Sequence, residues 1–171
     1  GGALFGLAMG VTKILGTGRD KKLLERVKAL APHRIEVISI ADNEPLDVWA
    51  RQRTGGLGVD VFIDALGPGA QHETLQQGVR ALARGGRAVN IGAIMGMVGM
   101  DLHTMMDNQQ SIEGSAWFTA AEGQDMADMA EAGTLDLSIL EHVCSPLDKV
   151  NEAISGISQR NGGFSNFVIN P

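Results

Sequence analysis

The 171-residue sequence predicts an α/β protein, a parallel sheet wound on both faces by helices, and two observations predict it. Short β-branched runs alternate with helical patterns over roughly the first 135 residues, the order that builds βαβ units. Glycine is in excess, with 23 residues against a usual ~7%. Many of these glycines fall at segment ends, where such a fold turns its chain and brings backbone close to a ligand.

The elements follow in order. Residues 1–10 read as an apolar helix of small side chains closed at Gly10, a usual place for a left-handed residue. Residues 11–16 read as a buried strand, broken by the turn Thr17-Gly18-Arg19. Asp20 can accept from the free amides of the next helix, in which Leu23, Leu24, Val27 and Leu30 recur at helical spacing until Pro32. Residues 35–40 suit a second strand, and residues 44–54, with Leu46, Trp49 and Ala50 on one side, a short helix. The densest strand signal, Val59–Asp64, follows the turn Gly55-Gly56-Leu57-Gly58 and precedes a glycine-rich loop at 65–69. A helix over 70–84 is expected to end at Gly85-Gly86, and a strand over 87–91 to stop at Gly92. After a methionine-rich connection come a strand over 112–118 and a helix over 123–132. The tail is extended or irregular at 137–143, helical at 147–157 and a final strand at 164–169.

Composition excludes several classes. With 44% hydrophobic and 20% charged residues the chain can bury one core, which excludes disorder, and its glycines follow no collagen period. Cys144, the single cysteine, excludes an internal disulfide, suits a reducing cytoplasm and reads as a small apolar filler rather than a nucleophile. No apolar run reaches the ~18 residues of a membrane span and no secretory leader is evident, so a cytoplasmic protein without a membrane partner is expected. The net charge of -6, with basic residues scattered, argues against a nucleic-acid partner. His33, His72, His103 and His142 lie far apart, without cysteine or acid at ligand spacing, so no metal site is expected in this chain.

In parallel sheets of this kind ligands bind beyond the carboxyl ends of the strands. The residues there are Thr17-Gly18-Arg19, Ala41-Asp42, Asp64-Ala65-Leu66-Gly67 and Gly92-Ala93-Ile94. A dinucleotide fold commonly ends its second strand in an acid that holds the ribose hydroxyls and repels a 2′-phosphate. Here Gly18 leaves space, Arg19 offers a planar guanidinium suited to bidentate contact with a phosphate, and Lys22 adds a second charge one turn on. The alternative is that Arg19 and Lys22 only solvate a helix start, with Asp20 opposing an anion. Gly67 and Gly92 either turn the chain or admit a ring or ribose; together they support a site. Asp64 is read as the holder of a loop amide, not as a catalyst. The methionines at 95, 97, 100, 105 and 106 suit adaptable packing or an apolar pocket wall.

Ala8-Met9-Gly10, Ile14-Leu15-Gly16-Thr17-Gly18-Arg19, the run from Thr54 to Gly67 and Gly85-Gly86-Arg87-Ala88-Val89-Asn90-Ile91-Gly92 together resemble the cofactor domain of medium-chain, zinc-type alcohol dehydrogenases and quinone reductases. So does the tail, where Pro146-Leu147-Asp148-Lys149-Val150-Asn151-Glu152-Ala153 precedes Gly163 and the last strand. The resemblance covers nearly the whole chain. It implies a Rossmann-like, doubly wound parallel sheet at 1–135 and a segment at 136–171 that returns toward a catalytic domain. In the family a first strand and a Gly-x-Gly-x-x-Gly turn precede the helix that here begins at Gly1, so the sheet is expected to lack its first strand and the chain to belong to a longer one. That strand lies mid-sheet, so its loss leaves two unpaired edges; a regular six-stranded sheet built from this chain alone would overturn the expectation.

The resemblance further implies hydride transfer between a nicotinamide and an alcohol or carbonyl, and the Gly18-Arg19 pair resembles the form in NADP-using members, so NADP is expected over NAD. Cofactor contacts are expected from Thr17, Gly18, Arg19, Lys22, Asp42, Ala65, Leu66, Gly67, Gly92, Ala93 and Ile94. Zinc ligands and proton-relay groups of the family belong to an amino-terminal domain, so no catalytic residue is carried over and the chain alone is expected to be inactive. Asn166 stands where many relatives place an arginine for the cofactor phosphates. Residues 112–118 resemble the outer strand that joins two sheets in family dimers, which implies a homodimer. The other readings are a zinc-independent quinone or enone reductase and a non-catalytic NADP-binding or scaffold protein.

Overall fold

The computed structural model describes residues 1–158 and 164–170, with Ser158 by its backbone only; Gly163 of the tail motif lies outside them. Helix α1 (Gly2–Ala8) is followed by Gly10 at φ 81°, as the sequence predicts. Strand β1 (Ile14–Gly18) begins three residues later than expected and runs through Thr17 and Gly18, so the chain turns at Arg19 instead. The delay has a cause: the Val11 carbonyl is taken by the Arg34 guanidinium (3.0 Å), and main-chain bonding across to Arg34 starts only at the Ile14 N–H (2.7 Å). Asp20 caps α2 (Lys21–Ala29), accepting from the N–H groups of Lys22 (2.8 Å) and Leu23 (3.2 Å). Strand β2 (Ile35–Ser39) passes into a 3-10 turn, Ile40–Asp42, and α3 (Leu46–Arg53) buries Leu46, Trp49 and Ala50 as its spacing predicts.

Strand β3 (Val59–Asp64) matches the sequence reading, but α4 (His72–Arg80) is shorter than predicted because β4 (Leu82–Asn90) claims residues 82–86. Leu82 is fully buried, and the Val59 N–H donates to the Ala81 carbonyl (2.9 Å). Register then jumps from Val59↔Leu82 to Val61↔Arg87. Gly85, at φ 75°, and Gly86 absorb that jump, so the glycine pair is a bulge inside a strand rather than a helix stop. The methionine-rich connection contains α5 (Leu102–Asp107), capped by Asp101. Strand β5 (Ser111–Gly114) ends four residues earlier than expected, since Trp117 takes φ 63° and leaves the extended path. Helix α6 (Ala120–Glu131) begins early because Thr119 and Glu122 form a capping box. Strand β6 (Glu141–Pro146), helix α7 (Val150–Ser158) and strand β7 (Ser165–Asn170) complete the described chain. Cys144 is exposed on β6, not a buried filler: it alternates with Val143 and Ser145, which face the groove beside α7.

β1 pairs with β2, β3-β4-β5 form a three-stranded parallel sheet, and β6-β7 a parallel pair. Among the described residues no six-stranded sheet forms. Among the described residues β1 pairs only with β2 and β3 only with β4, as expected of a sheet short of one strand. On β3, Val61 and Ile63 are each about half exposed.

The chain divides into two compact units. One comprises Thr17–Arg19 and Ile38–Phe118. Its core is Val79, Leu82 and Ala88, against which Val59, Phe62, Met100 and Met105 pack. Helix α4 lies so close to β3 that a Cβ at Gly78 would run into the Phe62 ring. Arg51 ties α3 to the end of α4 and the start of β4, donating to the carbonyls of Arg80 (2.8 Å) and Leu82 (3.3 Å). Trp49 is buried, whereas Trp117 is 93% exposed. The other unit comprises Gly1–Gly16, Asp20–Val37 and the chain from Thr119 onward. Here Arg26 pairs with Glu141 (2.6 Å) and lies over the Phe164 ring (4.3 Å), and Gly156 admits Phe167 where a Cβ would sit 2.6 Å from the ring.

Candidate functional site

The carboxyl ends of β3 and β4 meet in one junction. Asp64 closes β3 and is 1% exposed; its Oδ1 accepts the Leu66 N–H (2.9 Å), and its carbonyl accepts the Ile91 N–H (2.9 Å). This is the loop-holding role read from the sequence. The Leu66 carbonyl in turn accepts the Ala93 N–H (2.8 Å), so the loop after one strand is laced to the loop after the next. Gly92 makes that approach possible: a Cβ there would lie 2.6 Å from the Leu66 oxygen, 2.8 Å from its nitrogen and 3.2 Å from the Ala65 carbonyl carbon. Gly67 differs, having open space where its Cβ would point. The structure thus brings Ala65, Leu66, Gly67, Gly92 and Ala93 together, with half-buried Ile94 next in the chain.

A second group forms at the end of β1. Thr17 and Gly18 complete the strand, and the Arg19 carbonyl accepts from the hydroxyl of Ser39, a buried residue at the end of β2 (3.3 Å). Asp42 folds back to accept the Ser39 N–H (3.3 Å), while the Ser39 Oγ accepts the Ala41 N–H (3.3 Å). Sequence reasoning passed over Ser39, although serine followed three residues later by an acid is capping-box spacing. The Arg19 side chain is exposed and makes no ion pair or hydrogen bond among the described residues. Lys22, on the first turn of α2 in the other unit, is likewise exposed. His72 and Gln76 on α4 were also missed; they bond the carbonyls of Met95 (2.8 Å) and Gly99 (2.7 Å). No sequence signal marks them, because each partner is a main-chain oxygen 23 residues away. The five methionines divide: Met100 and Met105 pack on the core, while Met95, Met97 and Met106 are exposed.

Among the described residues no group of three or more His, Cys, Asp or Glu is arranged to hold a metal ion, and no helix is long and apolar enough to cross a membrane. A separate open groove of about 550 Å³ beside β6, α7 and β7, lined by Val143, Ser145, Asn151 and Phe167, contains none of the candidate residues.

The model of a protein family described as zinc-binding dehydrogenase matches residues 3–132. The chain belongs to the zinc-binding dehydrogenase family. No curated protein matches the sequence. Three solved structures are similar to it in fold. An alcohol dehydrogenase from Thermus sp. ATN1 has a TM-score of 0.84 at 19% identity over 98% of this chain and 47% of its own. A 2R,3R-butanediol dehydrogenase from Bacillus subtilis gives 0.81 at 15% identity over 99% and 46%. An NAD-dependent alcohol dehydrogenase gives 0.71 at 24% identity over 93% and 44%. The chain therefore spans about half the length of these structures. Membership in this dehydrogenase family implies a nicotinamide dinucleotide, NAD or NADP. The residues present fit such a group. The junction at Gly92 exposes main chain without a side chain in the way, Gly67 leaves open room, and the buried Asp64 Oδ2 has no partner among the described residues.

Proposed function

We propose that the chain is the NADP(H)-binding portion of an oxidoreductase that moves hydride between the nicotinamide and an alcohol or carbonyl substrate, as part of a zinc-type dehydrogenase. The observation that carries this reading is the junction at the carboxyl ends of β3 and β4, where Gly92 lets two strand-end loops lie in main-chain contact. Ala65, Leu66, Gly67, Gly92, Ala93 and Ile94 would hold the nicotinamide and its ribose through main chain and aliphatic surface, and Thr17, Gly18 and Asp42 would border the adenosine ribose. Arg19 would bind the 2′-phosphate and so select NADP. When bound, the cofactor supplies the hydride or its acceptor.

In this reading residues 1–135 are the dinucleotide domain and 136–171 return toward a catalytic domain outside this chain, which also supplies any zinc and the proton relay; the strand that pairs on the edge of β3 would belong to the dinucleotide domain itself, ahead of α1. The chain by itself would then be inactive. The outer edge of β5, with Ile112 and the nearby Trp117 exposed, supports pairing with a second copy. A cytoplasmic location accords with the single unpaired cysteine.

Titration of the full-length protein with NADPH and NADH, alongside Arg19→Ala, tests the assignment. A charge-assisted contact contributes about 1.5–3 kcal/mol, so the variant should lose roughly 10- to 100-fold in NADPH affinity while NADH is unaffected. Equal affinity for both nucleotides, insensitive to Arg19, overturns the choice of NADP; binding of neither overturns the cofactor site.

A further inference from the structure

We infer that His72 and Gln76 are positioning residues that tie the loop after β4 to helix α4 and so preform the nicotinamide end of the site. The inference rests on the cofactor reading above. After Gly92 the chain runs without regular structure to Asp101, where α5 is capped. A segment of that kind wanders unless something holds it. Three hydrogen bonds do so. The Leu66 carbonyl takes the Ala93 N–H (2.8 Å), His72 Nε2 meets the Met95 carbonyl (2.8 Å), and the Gln76 amide donates to the Gly99 carbonyl (2.7 Å).

The two side chains lie four residues apart on α4, hence on one face of the helix. Gly96, at φ 95°, turns the loop directly against the His72 ring, with a built Cβ 3.3 Å from Cε1. The carbonyl can only accept, so the ring must present Nε2–H, which both the neutral tautomer and the protonated ring supply. Helix α4 is itself fixed in the core through Leu75, Gly78 and Val79. It thus serves as a rigid bar to which the loop is fastened at two points beyond the Gly92 junction. Met95 and Met97 are left exposed, 69% and 96%, on the loop that these bonds hold. Neither His72 nor Gln76 belongs to the buried core, so removing their donors should leave the fold standing.

The test is the double variant His72→Phe/Gln76→Met in the full-length protein, alongside His72→Phe alone and His72→Gln, whose amide nitrogen reaches the position of Nε2 and keeps the donor, as rescue. Three quantities are read: affinity for NADPH and NADH, affinity for adenosine 2′,5′-bisphosphate, which lacks the nicotinamide half, and hydrogen exchange of amides 94–99 without ligand. Loss of two hydrogen bonds of ordinary strength predicts a roughly 5- to 30-fold weaker dinucleotide and faster exchange in the loop. The bisphosphate should bind as before, and His72→Gln should recover most of what the His72→Phe single variant loses. A variant that binds dinucleotide as tightly as the wild type, or that loses dinucleotide and bisphosphate equally, overturns the inference while leaving the cofactor site intact. A wild-type protein that binds neither dinucleotide overturns both.

Discussion

Replacing Gly92 with alanine puts the strand-end junction under direct load. The new Cβ would lie 2.6 Å and 2.8 Å from the oxygen and nitrogen of Leu66. Both are main-chain atoms, so no rotamer can swing clear and one loop must retreat. Ordinary carbon contacts begin near ~3.5 Å, which sets the displacement at somewhat under ~1 Å and breaks the Ala93–Leu66 hydrogen bond. Overpacking of this kind costs about 1–3 kcal/mol and the lost bond about 0.5–1.5 kcal/mol. Together they predict a fall in Tm on the order of 10 °C for a chain of this size, with weaker dinucleotide binding. Gly67→Ala is the matched control: nothing lies within 4 Å of its built Cβ, and its φ is not left-handed. Its Tm should hold or rise by a few degrees, on the order of the gain usual for a compatible Gly→Ala change. Thermal and urea unfolding of the two variants side by side decide the matter. A Gly92→Ala protein that melts within about 2 °C of wild type would refute the close-approach argument.

Other outcomes follow from the same geometry. Asp20→Asn keeps an acceptor for the first turn of α2 while removing a negative charge beside Arg19, so stability should be unchanged and preference for NADPH over NADH should rise in a titration; Asp20→Ala should lose about 1 kcal/mol in urea unfolding. Arg26→Ala removes the pair with Glu141 and the stack on Phe164; since both charges are about half exposed to solvent, the loss should be about 0.5 kcal/mol and shrink at high salt. The N–H and hydroxyl of Thr119 hold the Glu122 carboxyl below its usual range. Because the folded value is the lower one, the stabilisation is complete above the unfolded value of about 4.5 and is lost as pH falls through the folded value. Glu122→Gln should therefore show a shallower loss of stability than wild type in urea unfolding below about pH 4.5.

How far the sequence revealed the fold depended on where the deciding forces act. Val59–Asp64 was legible end to end because β-branched density and flanking turn residues are local properties. The burial of Leu46, Trp49 and Ala50 was legible from spacing, and the start of α2 from Asp20. The start of β4 was not, since Leu82 joins the sheet through a contact with Val59 that helical propensity does not report. The end of β5 was missed for a related reason: nothing in the composition of residues 115–118 foretells a tryptophan at φ 63°. At the candidate site, the glycines after the strands could be recognised as places of close approach, but only the coordinates separate Gly92, which needs its missing Cβ, from Gly67, which has room for one. Ser39 was marked only by its capping-box spacing to Asp42, and the bar formed by His72 and Gln76 bonds main-chain oxygens, which carry no sequence signature.

The two tryptophans give the protein a pair of optical probes that report different events. Trp49 sits in the apolar interior, so its emission should lie to the blue and move red as that interior opens. Trp117, nearly surrounded by water beside the outer strand, should already emit to the red and can only move blue when another surface covers it. Denaturation should therefore shift the Trp49 component, and dilution the Trp117 component if two copies pair as proposed. With Trp49→Phe and Trp117→Phe to assign each component, association and unfolding can be followed in one cuvette without any attached label.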